Sequence, residues 1–75
     1  MKYIRYKDYG MCLFSNIFKH KTIANCFYSY GIKKIISAGF VGVGIDGKLD
    51  CYGESTSLGI HSLYEEDSEI LRKQF

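Results

Sequence analysis

An Asp-Gly pair between two runs of alternating apolar residues, Asp46-Gly47, most constrains what this chain can fold into. Asp and Gly tolerate the positive φ angles of a type I′ turn, so the pair predicts a long β-hairpin within the segment Lys33 to Ile60. With a two-residue loop, Ile45 stands opposite Lys48 and Gly44 opposite Leu49. Continuing outward, Gly42 meets Cys51, Phe40 meets Gly53 and Ala38 meets Ser55. On that face each bulky residue meets a glycine, which lets the sheet lie close against a second layer. The hairpin is an architectural feature and carries no chemistry of its own.

Upstream, Lys2-Tyr3-Ile4-Arg5-Tyr6-Lys7 is rich in β-formers and Met11-Cys12-Leu13-Phe14 is a short apolar run, with Asp8-Tyr9-Gly10 as a tight turn between them. Ser15 or Asn16 then offers a helix N-cap. From Ile17 to Tyr30, the residues Ile23, Cys26, Phe27 and Tyr30 fall on one helical face. Gly31 suits the left-handed position that ends a helix. Ser62-Leu63-Tyr64-Glu65 has the form of a capping box opening a short C-terminal helix. Glu65, Glu66 and Asp67 near its start and Arg72 and Lys73 near its end complement the helix dipole. The order ββαββ plus a helix predicts one α+β domain over residues 1–75. Its antiparallel sheet of two hairpins carries one helix packed on a face and a short C-terminal helix. Ile23, Cys26, Phe27, Ile36, Ala38, Phe40, Leu49 and Cys51 are the expected core.

A domain of 75 residues buries only about 60–65% of the surface its unfolded chain exposes, so its stability is a few kcal/mol. With 47% apolar and 24% charged residues it is too apolar for disorder. Seven tyrosines and five phenylalanines help a short chain build a core, and tyrosine equally suits binding surfaces. Cys12, Cys26 and Cys51 are odd in number and scattered, and Met1-Lys2-Tyr3-Ile4-Arg5 runs straight into a charged strand with no signal peptide. The expectation is three reduced thiols in a cytosolic, cytoplasmic protein. No apolar run approaches the roughly 20 residues that span a membrane, so no membrane partner is expected.

Gly42-Val43-Gly44-Ile45-Asp46-Gly47 matches the letters of a dinucleotide-binding loop. That loop needs a helix after it to receive a pyrophosphate, and Lys48-Leu49-Asp50-Cys51-Tyr52 is strand-like instead. His20, His61 and the three cysteines lack the paired spacing of a structural zinc site. Nothing marks one cysteine as an activated nucleophile, and the crowded acids Glu65, Glu66, Asp67 and Glu69 are explained by a first helical turn. No coherent catalytic set emerges, and neither an enzyme, a metal nor a small-molecule cofactor is expected.

Two surfaces are candidates for binding a partner. In a strand, Tyr3, Arg5 and Lys7 share a face, and an aromatic platform flanked by cations suits single-stranded nucleic acid. They lie in a lopsided chain: residues 1–34 hold seven Lys/Arg against Asp8 alone, a net +6, and residues 35–75 carry a net −4. The second surface is the opposite face of the later hairpin, where Val41, Val43, Ile45 and Tyr52 point away from the helix. Either the C-terminal helix covers these through Ile70, Leu71 and Phe75, or another chain does. The resulting reading is a non-enzymatic binding module for a protein partner or for a second copy of itself. Nucleic-acid binding through the N-terminal strand is the alternative.

Ser37-Ala38-Gly39-Phe40, Cys51-Tyr52-Gly53-Glu54-Ser55 with Ser57-Leu58-Gly59, and Leu71-Arg72-Lys73-Gln74-Phe75 resemble a pattern in small phage and prophage proteins. The resemblance covers roughly the C-terminal half. It implies a single-domain accessory protein of a mobile element that binds a host or phage macromolecule, defence-system inhibitors among them. It carries over no functional residue.

Overall fold

The computed structural model describes residues 1–75. Strands β1 (Lys2–Tyr6) and β2 (Gly10–Phe14) form the first hairpin, followed by α1 (His20–Ser29). Then come β3 (Ile35–Val43), β4 (Leu49–Tyr52), the two-residue strands β5 (Glu54–Ser55) and β6 (Ile60–His61), and α2 (Tyr64–Gln74). The fold is α+β. The two hairpins join through β1 and β3, giving one antiparallel sheet in the order β2-β1-β3-β4, and β5 and β6 pair as a small second sheet.

Period-two alternation sends odd and even residues of β1 to opposite faces. On one face Ile4, Tyr6 and Ala38 are buried beneath Ile23, Ala24 and Phe27 of α1, with Leu58 and Ile60 beside them. The Tyr6 and Phe27 rings lie 4.8 Å apart. On the other face Tyr3, Met11 and Cys51 are buried against Leu71 of α2, with Leu13, Val41, Leu49 and Ile70 around them. The sheet is thus the middle of three layers. Of the expected core, Ala38 and Cys51 are fully buried, and Ile23, Phe27, Phe40 and Leu49 are half-buried. Cys26 and Ile36 are exposed: α1 is covered only along a narrow stripe, and Ile36 is the unpaired residue where the β1–β3 register shifts.

The second hairpin forms with its register moved by one residue from the expected pairing. Phe40 stands opposite Tyr52, Val41 opposite Cys51 and Val43 opposite Leu49. The loop has three residues: the Gly47 amide donates to Gly44 O at 3.0 Å, and the Gly44 amide donates to Lys48 O at 2.8 Å. Only Gly47 of the Asp-Gly pair is left-handed, at φ +80°, which is the turn-plus-bulge form of a hairpin loop. A one-residue slip exchanges faces, so Cys51 leaves the Phe40 side and joins Tyr3 under α2. Phe40 still covers a glycine, with a Cβ at Gly53 falling 3.1 Å from its ring.

Both helix starts differ from expectation. Ser15 Oγ accepts the Ile17 amide at 3.3 Å in a separate turn, and α1 begins only at His20. At α2 the residue that reaches back is Asp67, not Glu65: its Oδ2 accepts the Leu63 amide at 2.9 Å.

Candidate binding surface

Each residue singled out for binding has a definite place. Tyr3 and Arg5 do share a face, but α2 covers it. Tyr3 is fully buried and its hydroxyl donates to Asp67 Oδ2 at 2.5 Å. The Arg5 guanidinium bridges Asp67 at 3.0 Å and Glu66 at 2.9 Å. Lys7 lies beyond the end of β1 and is exposed. The aromatic-cationic platform read from the alternation is therefore a core contact, and its acids come from the negative half of the chain. Val41 packs under α2, while Val43 stands 70% exposed and Ile45 is fully exposed at the tip of the hairpin. Tyr52 lies on the other side of the sheet, its ring stacked 5.9 Å from Phe40. The four apolar residues expected on one face do not form a single patch, because the slipped register and the longer loop separate them.

The polar groups in the interior hold structure. Burial alone would raise the Asp67 carboxyl, but hydrogen bonds from Tyr3, the Leu63 amide and Arg5 outweigh it and hold the group below its ordinary value. Burial, reinforced by Asp67, pushes the Tyr3 hydroxyl far above its ordinary range. Burial first, then Asp67, pushes the Cys51 thiol up to about 11, the reverse of what a nucleophile needs. His20 Nε2 donates to Gly39 O at 2.8 Å, which assigns the Nε2–H tautomer. Its ring stands edge-on to Phe14 and Phe40, and burial lowers its basicity. It forms the floor of a cleft of about 390 Å³ with Lys2, Lys19 and Ser57 around the rim. At its rim Lys2 Nζ donates to Phe18 O and Ser57 Oγ accepts the Lys21 amide. No three metal-ligating side chains cluster anywhere in the molecule. No helix is long and apolar enough to cross a membrane.

The two edges of the sheet are treated differently. At β4, the Cys51 amide points away from β3 and donates to Ser68 Oγ at 2.9 Å. Leu49 O accepts from Arg72 Nε at 2.9 Å, and the Arg72 guanidinium also pairs with Asp50. Helix α2 thus meets one outward amide and one outward carbonyl of this edge. At β2 nothing does. The Val41 amide donates to Met1 O, so odd residues of β1 face β3 and even ones face β2. It follows that Gly10, Cys12 and Phe14 bond to β1, while the amides and carbonyls of Met11 and Leu13 point outward, unmet by any backbone or side-chain group. Exposed Tyr9, Ile17 and Phe18 flank this strand.

Sequence reasoning did not single out Met11 and Leu13. One signal was available: the chain carries no charge from Tyr9 to Phe18, whereas edge strands are commonly guarded by lysine or proline. Comparison with known proteins finds no family model, no curated protein and no solved structure that matches the chain.

Proposed function

We propose that this protein is a non-enzymatic binding module that takes a protein partner along the open β2 edge. The observation that supports this reading is the pair of outward, unpaired backbone positions at Met11 and Leu13 in an uncharged strand. An extended segment that adds to such an edge gains main-chain hydrogen bonds, and alternate side-chain contacts give it selectivity. His20, Asp67 and Cys51, the residue types most suited to catalysis, are each engaged in holding the fold. The resemblance to phage and prophage proteins fits a protein partner of host or phage origin, a second copy of this chain among them.

The test is affinity capture with wild type and Leu13→Pro in parallel. The Leu13 amide points outward, so proline removes a donor there without removing a bond to β1. A partner held by wild type and released by the variant, both folded in a thermal melt, is the expected result. Equal capture by the two proteins would move the binding surface elsewhere.

A second reading is single-stranded nucleic acid at another corner of the molecule. There Lys7, Tyr9, Lys33 and Lys34 surround a cleft of about 260 Å³, and Lys33 Nζ sits 4.8 Å from the Tyr28 ring centroid. Exposed tyrosines beside lysines suit stacked bases and their phosphates. Oligonucleotide binding at low salt that weakens in Lys33→Ala/Lys34→Ala, with a slope shallower by about 0.7 per lost contact, would favour it. Absence of any such binding would eliminate it.

A further inference from the structure

We infer that the open edge is taken by a second copy of this chain, β2 pairing antiparallel with β2 of its partner about a two-fold axis through Cys12. This inference rests on the reading of that edge as the binding surface and names what binds there. A two-fold contact requires a surface complementary to itself. The β2 edge has that property in its backbone, because the outward residues Met11 and Leu13 flank Cys12 symmetrically. Rotation about Cys12 sets Met11 of one copy opposite Leu13 of the other, on both sides of the axis. Both pairs are of the hydrogen-bonded kind, so the two copies share one continuous sheet.

The side chains agree with this. No charged residue lies between Tyr9 and Phe18, so the rotation brings no like charges together along the shared strand. The start of one strand meets the end of the other, which carries the exposed Tyr9 of each copy toward the segment bearing the partner's exposed Ile17 and Phe18. The opposite edge is less suited, since Ser68 and Arg72 of α2 already hold its Cys51 amide and Leu49 carbonyl. A self-paired β2 leaves only β4, flanked by α2, as the outer strand of each copy's sheet.

The axis makes a sharp geometric prediction. Cys12 pairs with its own copy as a non-hydrogen-bonded pair, with Cα atoms about 4.5 Å apart. This falls inside the roughly 4.4–6.8 Å range over which a disulfide closes. The experiment uses the full chain carrying Cys26→Ser, which removes the exposed thiol and leaves Cys12 and buried Cys51. Sedimentation across a concentration series should show a monomer–dimer equilibrium. Mild oxidation by an added thiol oxidant should then trap a dimer whose peptide map contains a Cys12–Cys12 disulfide. Adding Leu13→Pro should weaken dimerisation about tenfold or more, through lost edge donors. A protein that sediments as monomer throughout, or a dimer that forms no Cys12 disulfide, overturns the inference. If the monomer still captures another protein through a contact that Leu13→Pro abolishes, self-pairing fails while the binding-module reading survives. If it captures none, both fail.

Discussion

Tyr3 and Asp67, 64 residues apart in sequence, meet in a fully buried hydrogen bond that ties the second residue of β1 to α2. The same carboxylate accepts from Arg5 and from the Leu63 amide. One acid therefore anchors the helix start, the strand and the cation that flanks them.

Removing the acid should be severe. Asp67→Ala leaves the Tyr3 hydroxyl unpaired and the largely buried Arg5 guanidinium with only the exposed Glu66, a change that typically costs about 3–5 kcal/mol. For a domain of this size that is most or all of its stability, and a urea titration should find the variant largely unfolded. The Tyr3→Ala/Arg5→Ala pair, harmless if these residues formed an open platform, should likewise collapse the melt.

Two tyrosines give a sharper contrast. The Tyr3 hydroxyl is bonded to a carboxylate, whereas the buried Tyr6 hydroxyl has no hydrogen-bond partner. Tyr3→Phe should lose about 1.5–3 kcal/mol. Tyr6→Phe should be neutral or stabilising by about 1 kcal/mol, since it removes an unmet polar group. Denaturant midpoints of the two variants should move in opposite directions or, at the least, by clearly unequal amounts.

The glycines of the second hairpin are not equivalent. A Cβ on Gly39 would stand 2.5 Å from the backbone oxygen of Tyr52, which cannot swing away, whereas one on Gly47 meets nothing and suffers only a φ of +80°. Gly39→Ala should cost about 2–3 kcal/mol or more and Gly47→Ala about 1 kcal/mol. Thermal melts of the two variants check the ranking.

Stability should fall at both ends of the pH scale. His20 and Asp67 titrate below their ordinary 6.5 and 3.8, so the unfolded chain binds their protons first. Stability is present above those values and is lost as pH falls through the lower folded ones. Cys51 has the opposite sign: the unfolded thiol ionises near 9.0 and the folded one near 11, so stability falls as pH rises across that window. Denaturation midpoints from pH 2 to 11 should trace a dome, and His20→Asn should flatten its shoulder just below neutrality.

The elements of this fold were legible because their signals are local. Alternation marked β1, apolar spacing marked α1 with Gly31 ending it, and Asp46-Gly47 marked a hairpin. The register was not, because a two-residue and a three-residue loop both use glycine at position 47, and the choice between them exchanges the faces of Cys51 and Tyr52. Nor was the fate of Tyr3 and Arg5, whose shared face is local while its cover is Asp67, far along the chain. The acids of α2 fit the helix dipole well enough to hide that one of them is buried. The open edge was the least legible feature, since whether Met11 and Leu13 border solvent depends on strand order.

The β2-β1-β3-β4 order places the first strand in the middle of the sheet. During synthesis β1 can gain only β2 as a neighbour until β3 appears some thirty residues later, and Tyr3 stays uncovered until α2 follows. A nascent or C-terminally clipped chain would therefore present the apolar and hydrogen-bonding face of its central strand to whatever is nearby. Completion of this fold is a late event, set by its last helix.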